Sequence, residues 1–82
     1  MYDGYCNTDQ GIAWNHYDYF STTSSGSADS CLAWCKDQKQ NSAKNFVACD
    51  YDETYCEIIE DAVVTGGDGS GLTLCWVFVS GK

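Results

Sequence analysis

Of all the residues in this 82-residue chain, the six cysteines are the best equipped for chemistry, and their spacing indicates which chemistry. Cys31 and Cys35 stand four positions apart. Cys49 and Cys56 flank the acidic pair Asp52-Glu53, and Cys6 and Cys75 lie towards the two ends. An even number of cysteines at this density in so small a chain reads as a disulfide framework formed in an oxidising compartment. A zinc module is the poorer reading, because the chain has a single histidine, His16, and no Cys-x-x-Cys pair. With all six thiols committed to bridges, no cysteine nucleophile is left. His16 has no serine or free thiol that the sequence can place beside it. The acidic groups Asp50, Asp52 and Glu53, and Glu57, Glu60 and Asp61, read as a solvated acidic surface, since acid–base catalysis needs two carboxylates facing each other across a cleft. Asp50, Asp52, Glu53 and Asp68 offer hard oxygen ligands for calcium, but no EF-hand pattern surrounds them. The expectation is a protein that is not an enzyme, with no resident metal and no cofactor.

Those cysteines need a helix and a hairpin to position them. Ser27 to Gln40 is the best helix candidate: Ser27 can cap it, Asp29 falls in the first turn, and Lys36 and Lys39 fall near its end, an order that complements the helix dipole. Ala28, Cys31, Trp34 and Cys35 share one face at helical spacing. The stretch Asn45 to Ile59 reads as a hairpin with Asp52-Glu53 at its tip, which sets Cys49 opposite Cys56 and Asp50 opposite Tyr55. The alternating Tyr17-Asp18-Tyr19 reads as a short strand or extended arm. Ser21 to Ser27 and Thr65 to Gly71 read as loops. Leu72 to Val79 is apolar on both faces apart from Thr73, which marks a strand covered on both sides or one that meets a partner.

Two cysteines one helical turn apart, about 6 Å along the axis, match two cysteines about 5 Å apart across a hairpin. A helix laid over the hairpin could therefore carry two near-parallel bridges. Both ways of drawing that inner pair leave Cys6 bonded to Cys75, and spacing does not choose between them. Each bridge would stabilise the fold by roughly 3 to 4.5 kcal/mol in the chain-entropy picture.

The segments Cys31-Leu32-Ala33-Trp34-Cys35, Phe46-Val47-Ala48-Cys49-Asp50-Tyr51, and Cys56 with Ile58 resemble the PAN/apple module. The opening Tyr5-Cys6 followed by Tyr17-Asp18-Tyr19-Phe20 is similar to cysteine-rich variants of that module in extracellular proteins of algae such as diatoms. The resemblance implies a nested pattern, Cys6 to Cys75, Cys31 to Cys56 and Cys35 to Cys49. It also implies an adhesive or scaffolding role. Only six residues separate Cys49 from Cys56, fewer than in many apple hairpins, so the swapped inner pairing stays open.

Composition bounds the partners. Acidic residues outnumber basic ones 12 to 4, for a net charge of −8, and there is no arginine. That field repels polyanions and excludes nucleic acid. No apolar run is long enough to span a membrane. The first twenty residues lack the basic start and apolar core of a signal peptide, so the chain reads as a mature form or an excised module. Trp14, Asn15, His16, Tyr17, Asp18 and Tyr19 mix flat rings with short polar groups, a combination suited to sugar rings or to a protein surface. Leu72, Leu74, Trp76 and Phe78 are the candidates for self-association, and Lys36, Lys39 and Lys44 form the one basic patch.

The resulting expectation is a single α+β module over residues 1–82, disulfide-rich, with one α-helix packed on a short antiparallel β-sheet. It is expected to be secreted, extracellular and without enzymatic activity, and to recognise a protein or carbohydrate of the matrix. Two alternatives are carried beside it. One is a structural subunit that assembles head to tail into filaments. The other is a cysteine-rich, pheromone-like signal.

Overall fold

A residue that can cap and a residue that can close define the single helix of the described chain. In a computed structural model, which describes residues 2–9, 15–21, 27–71 and 73–78, helix α1 runs over Ala28–Gln40. The Ser27 hydroxyl accepts the Ser30 N–H at 3.0 Å, satisfying one of the donors that a helix start leaves unpaired. Asn41 ends the helix: its backbone N–H and its side-chain amide both donate to the Asp37 carbonyl. Only Cys31 and Cys35 of α1 are buried, too narrow an apolar stripe to hold a helix by packing alone. Covalent bonds make up the difference.

The strands are β1 (Tyr2–Asp3), β2 (Cys6–Thr8), β3 (Asn15–Ser21), β4 (Phe46–Asp52), β5 (Tyr55–Glu60), β6 (Val64–Gly67) and β7 (Leu74–Val77). Five form an antiparallel sheet in the order β1-β7-β4-β5-β3, and β2 and β6 form a separate antiparallel ribbon. Alternation along β4 and β5 sorts the core into two layers. Cys49, Tyr51, Cys56 and Ile58 face α1, together with Phe46 and the partly buried Trp34, Leu74, Trp76 and Phe78. Ala48 and Ile59 face the other way and pack with Ala62, Cys6 and Val64 beneath the ribbon. The order is helix, sheet, ribbon: a small disulfide-rich α+β domain.

Three disulfides join those layers. Cys31–Cys56 and Cys35–Cys49 fasten the helix to the sheet, and Cys6–Cys75 fastens the ribbon to β7. No cysteine is free. The two-sided apolar character of Leu74–Val77 follows from this layering, because β7 lies between β1 and β4 with the helix over one face and the ribbon over the other.

The hairpin differs from the sequence expectation in register. Asp52 pairs with Tyr55, Tyr51 with Cys56, Asp50 with Glu57 and Cys49 with Ile58, so the turn residues are Glu53-Thr54. Asp52 shapes that turn: its carboxylate accepts the Thr54 N–H at 2.9 Å and the Thr54 hydroxyl at 3.1 Å, as an Asx-turn requires. The slip is two residues, which preserves the face of every side chain. Cys49 and Cys56 are therefore diagonal neighbours on the helix face, where the helix can reach both.

The stretch read as one loop from Thr65 to Gly71 is partly strand. Gly66 and Gly67 pair with Asn7 and Cys6 in the ribbon, and a Cβ on Gly67 would collide with the Asp3 carbonyl and the Tyr2 Cβ. Glycine is there for close approach of two backbones, which outweighs its loop preference. Gly4 serves a related purpose at φ +87°, where an added Cβ would meet the Asp68 carboxylate and the Ser70 backbone nitrogen. That carboxylate accepts the Tyr5 N–H, the Ser70 N–H and the Ser70 hydroxyl, which hold it below the usual carboxylate range, the Ser70 hydroxyl foremost. Gly4→Ala therefore combines a left-handed backbone with a steric collision. It is expected to lower unfolding stability by about 2 kcal/mol or more, read as a drop in the thermal midpoint by circular dichroism.

Candidate functional site

The edge of the five-stranded sheet carries the residues the sequence marks for recognition. Strand β3 pairs with β5 on one side and, among the described residues, has no strand on the other, so it presents a row of backbone groups that a ligand can pair with. Asn15 stands opposite Glu60, His16 opposite Ile59, Tyr17 opposite Ile58 and Asp18 opposite Glu57, with a register shift between Asp18 and Phe20. Trp14 lies outside the described residues. The remaining candidates are divided between two faces.

Tyr17 and Tyr19 lie on the helix side and remain 40% and 49% exposed. Neither ring is loose. Tyr19 stacks on Trp34 of α1 with centroids 5.0 Å apart and planes 9° from parallel. Tyr17 meets Phe46 edge-on at 5.9 Å, its hydroxyl donates to Glu60 at 2.9 Å, and the Lys44 ammonium sits 5.5 Å from its ring. Contacts of these kinds are favourable and fix ring orientation. The outcome is a preset aromatic platform beside an open strand edge. Trp34 was legible only as a core candidate, since nothing local to the helix announces a partner on β3.

His16 and Asp18 lie on the ribbon side. His16 Nδ1 is 2.7 Å from Glu57 Oε2 and 3.3 Å from Asp18 Oδ1. Glu57 and its cross-strand neighbour Asp50 are only 5% and 4% exposed, which corrects the reading of these two carboxylates as part of a solvated acidic surface. The ribbon covers Asp50, and His16 and Tyr55 lie against Glu57. Asp50 accepts the Cys6 N–H at 2.7 Å and shares a hydrogen bond with Glu57. Burial, followed by its bond to Glu57 and that group's charge, pushes the Asp50 carboxyl up to about 7, while the Cys6 N–H opposes the shift. Burial also pushes up the Tyr55 phenol, which hydrogen-bonds Glu57. The Tyr5 hydroxyl donates to Asp52 at 2.7 Å, and that bond, with burial, pushes the Tyr5 phenol up to about 12.

The other sequence candidates have internal partners. Asp52 is held below the usual range by the Thr54 N–H and the Tyr5 hydroxyl. Among the described residues, Asp52, Glu53 and Asp68 join no cluster of three metal-ligating groups. Leu74, Trp76 and Phe78 pack against the helix-side core, and Leu72 lies outside the described residues. The basic patch divides as well. Lys39 donates to the Phe46 carbonyl at 2.9 Å and lies 5.7 Å from the Phe78 ring, whereas Lys44 joins the platform on β3. Lys36, Lys39, Gln40 and Phe78 line an open groove of about 540 Å³.

Compared with known proteins, the chain matches no family model, no curated sequence and no solved structure. No helix among the described residues is long and apolar enough to cross a membrane.

Proposed function

We propose that the chain is a secreted, non-enzymatic recognition module of PAN/apple type, which binds a protein or carbohydrate of an extracellular matrix along β3. The observation that carries this reading is the pairing of an open strand edge with two exposed tyrosines held rigid by Trp34 and Phe46. Rigid rings bury contact area on binding at low cost in conformational entropy. An open edge adds backbone hydrogen bonds to an extended partner. The three disulfides fit an oxidising compartment.

Arrays of matrix glycans and matrix proteins, probed with the oxidised chain, test the reading. Binding is expected to survive moderate salt, because the platform is aromatic. Tyr19→Ala or Tyr17→Ala is expected to weaken it at least about tenfold, with the far-ultraviolet circular dichroism unchanged because both side chains are about half-exposed and the backbone pairing of β3 with β5 does not need them. Undiminished binding by both variants would remove β3 from the function.

Assembly of the chain with itself is favoured by the same open edge, and light scattering separates the two. A mass that stays at 9.0 kDa as concentration rises belongs to a recognition module. Regular growth belongs to a filament subunit.

A further inference from the structure

On the ribbon side of β3, behind the aromatic platform, one imidazole nitrogen and two carboxylates converge. His16 Nδ1, Asp18 Oδ1 and Glu57 Oε2 all lie within 4.8 Å of one another. The two contacts to nitrogen measure 2.7 and 3.3 Å. Neighbouring ligands around a small divalent metal at about 2.0–2.2 Å stand about 3–3.5 Å apart, so little movement separates this cluster from a coordination shell.

The backbone fixes the arrangement. His16 and Asp18 are two apart on β3 and share a face, and Glu57 is the cross-strand partner of Asp18. Glu57 is nearly buried, and hydrogen bonds from Asp50 and Tyr55 hold its carboxylate. Outer-shell partners of this kind orient ligands in metal sites. The His16 and Asp18 side chains are 50% and 39% exposed, which leaves the outer side open to water. No lysine among the described residues pairs with either carboxylate. A proton on Nδ1 can serve only one of the two acids well, whereas a divalent cation neutralises both.

We propose that His16, Asp18 and Glu57 form a binding site for a divalent first-row transition-metal ion, with Zn²⁺ the natural probe. One nitrogen and two carboxylate oxygens suit such an ion better than calcium, which takes six to eight oxygens. In the bound form the metal takes the Nδ1 lone pair and the neutral ring carries its one proton on Nε2. The site faces away from Tyr17 and Tyr19, so it stands whether or not β3 is the ligand surface.

Titration calorimetry of the oxidised protein with zinc chloride, in a large excess of magnesium, is the test. One equivalent is expected to bind. His16→Gln and Asp18→Asn each alter a half-exposed side chain and are expected to weaken binding more than about tenfold. Tyr55→Phe, which removes an outer-shell hydroxyl, is expected to weaken it about tenfold. Asp29→Asn, on the first turn of α1, serves as the control and is expected to bind as the parent does. Zinc uptake unchanged in His16→Gln would overturn the site. So would the absence of one-equivalent binding, or an Asp29→Asn loss as large as that of Asp18→Asn, which would mark diffuse attraction to an acidic protein.

Discussion

Reduction of the three disulfides is expected to unfold the domain at 37 °C, with loss of its near-ultraviolet circular dichroism and of any cooperative transition in urea. The expectation rests on what the interior is made of. The largest side chains buried to below 2% exposure are Ile58, Ile59 and five cysteines, so the bridges are the core as well as its fastening. The loops they close span 69, 25 and 14 positions. In the chain-entropy picture the shortest contributes about 3 kcal/mol and the longest about 4.5 kcal/mol. A small domain has about 5–15 kcal/mol of stability to lose. Cys6→Ala with Cys75→Ala is the milder form of the experiment and should cost about 2–5 kcal/mol in urea unfolding. It should act first on the β2–β6 ribbon, which that bridge ties to the sheet. A reduced protein with an intact near-ultraviolet signal would show that packing and hydrogen bonds suffice, and would undo this account of the core.

Dependence on disulfides also explains why the sequence was a good guide to some elements and a poor one to others. The helix was legible because cap, charge order and cysteine spacing all agree over Ala28–Gln40. The hairpin was legible as an element but not in register. Asp52 reaches forward to Thr54, and this side-chain bond, invisible to an apolar pattern, moves the turn by one position. The ribbon was not legible at all. Cys6-Asn7-Thr8 is short and polar, and its partner contains Gly66 and Gly67, so neither strand carries the alternation that marks a half-buried surface. Missing the ribbon led to the misreading of Asp50, and missing the placement of β3 beside β5 led to that of Glu57. A sheet with one bare face exposes alternate residues to water, while a covered one buries them.

The candidate site followed the same division. The alternation of Tyr17, Asp18 and Tyr19 marked an extended segment, but not that it lies at a sheet edge or that its two faces have different neighbours. Trp34 under Tyr19 and Glu57 beside His16 are contacts between elements far apart in the chain. Local pattern cannot supply them, because they depend on strand order. The apolar run Leu72 to Val79 shows the converse. Its two-sided character was real, and for Leu74, Trp76 and Phe78 the neighbours are the helix-side core of the same chain.

Stability is expected to rise as the pH is lowered from about 8 towards about 5, the reverse of ordinary acid denaturation, and Asp50 is the reason. Its carboxyl titrates near 3.8 when solvated and is pushed up to about 7 in the fold by burial. Between those values the folded chain holds a proton that the unfolded chain has released, so raising the pH through this window favours unfolding and the loss is complete above about 7. At about 1.4 kcal/mol per pH unit of difference, the effect amounts to a few kcal/mol. Asp52 and Asp68 work in the other direction. Their carboxyls are held below 3.8, so their contribution is present above that pH and fades as the pH falls through their lowered values. Together they place the stability maximum on the acidic side of neutrality. Asp50→Asn isolates the larger effect. The amide oxygen can still accept the Cys6 N–H that Asp50 accepts at 2.7 Å, and the amide nitrogen can donate to Glu57 in place of the carboxyl proton. With EDTA present to keep Glu57 free of metal, urea unfolding of this variant should match the parent only at about pH 4 or below, and should already exceed it by about 1.5 kcal/mol at about pH 5. It should exceed the parent by a few kcal/mol at pH 8 and lose most of the slope between. Repulsion within an acidic chain also eases as the pH falls, but that effect persists in the variant, so an unchanged slope would assign the pH dependence to net charge and clear Asp50. A flattened slope would mean that ionising one buried carboxyl beneath the ribbon loosens the contact between β2 and the sheet.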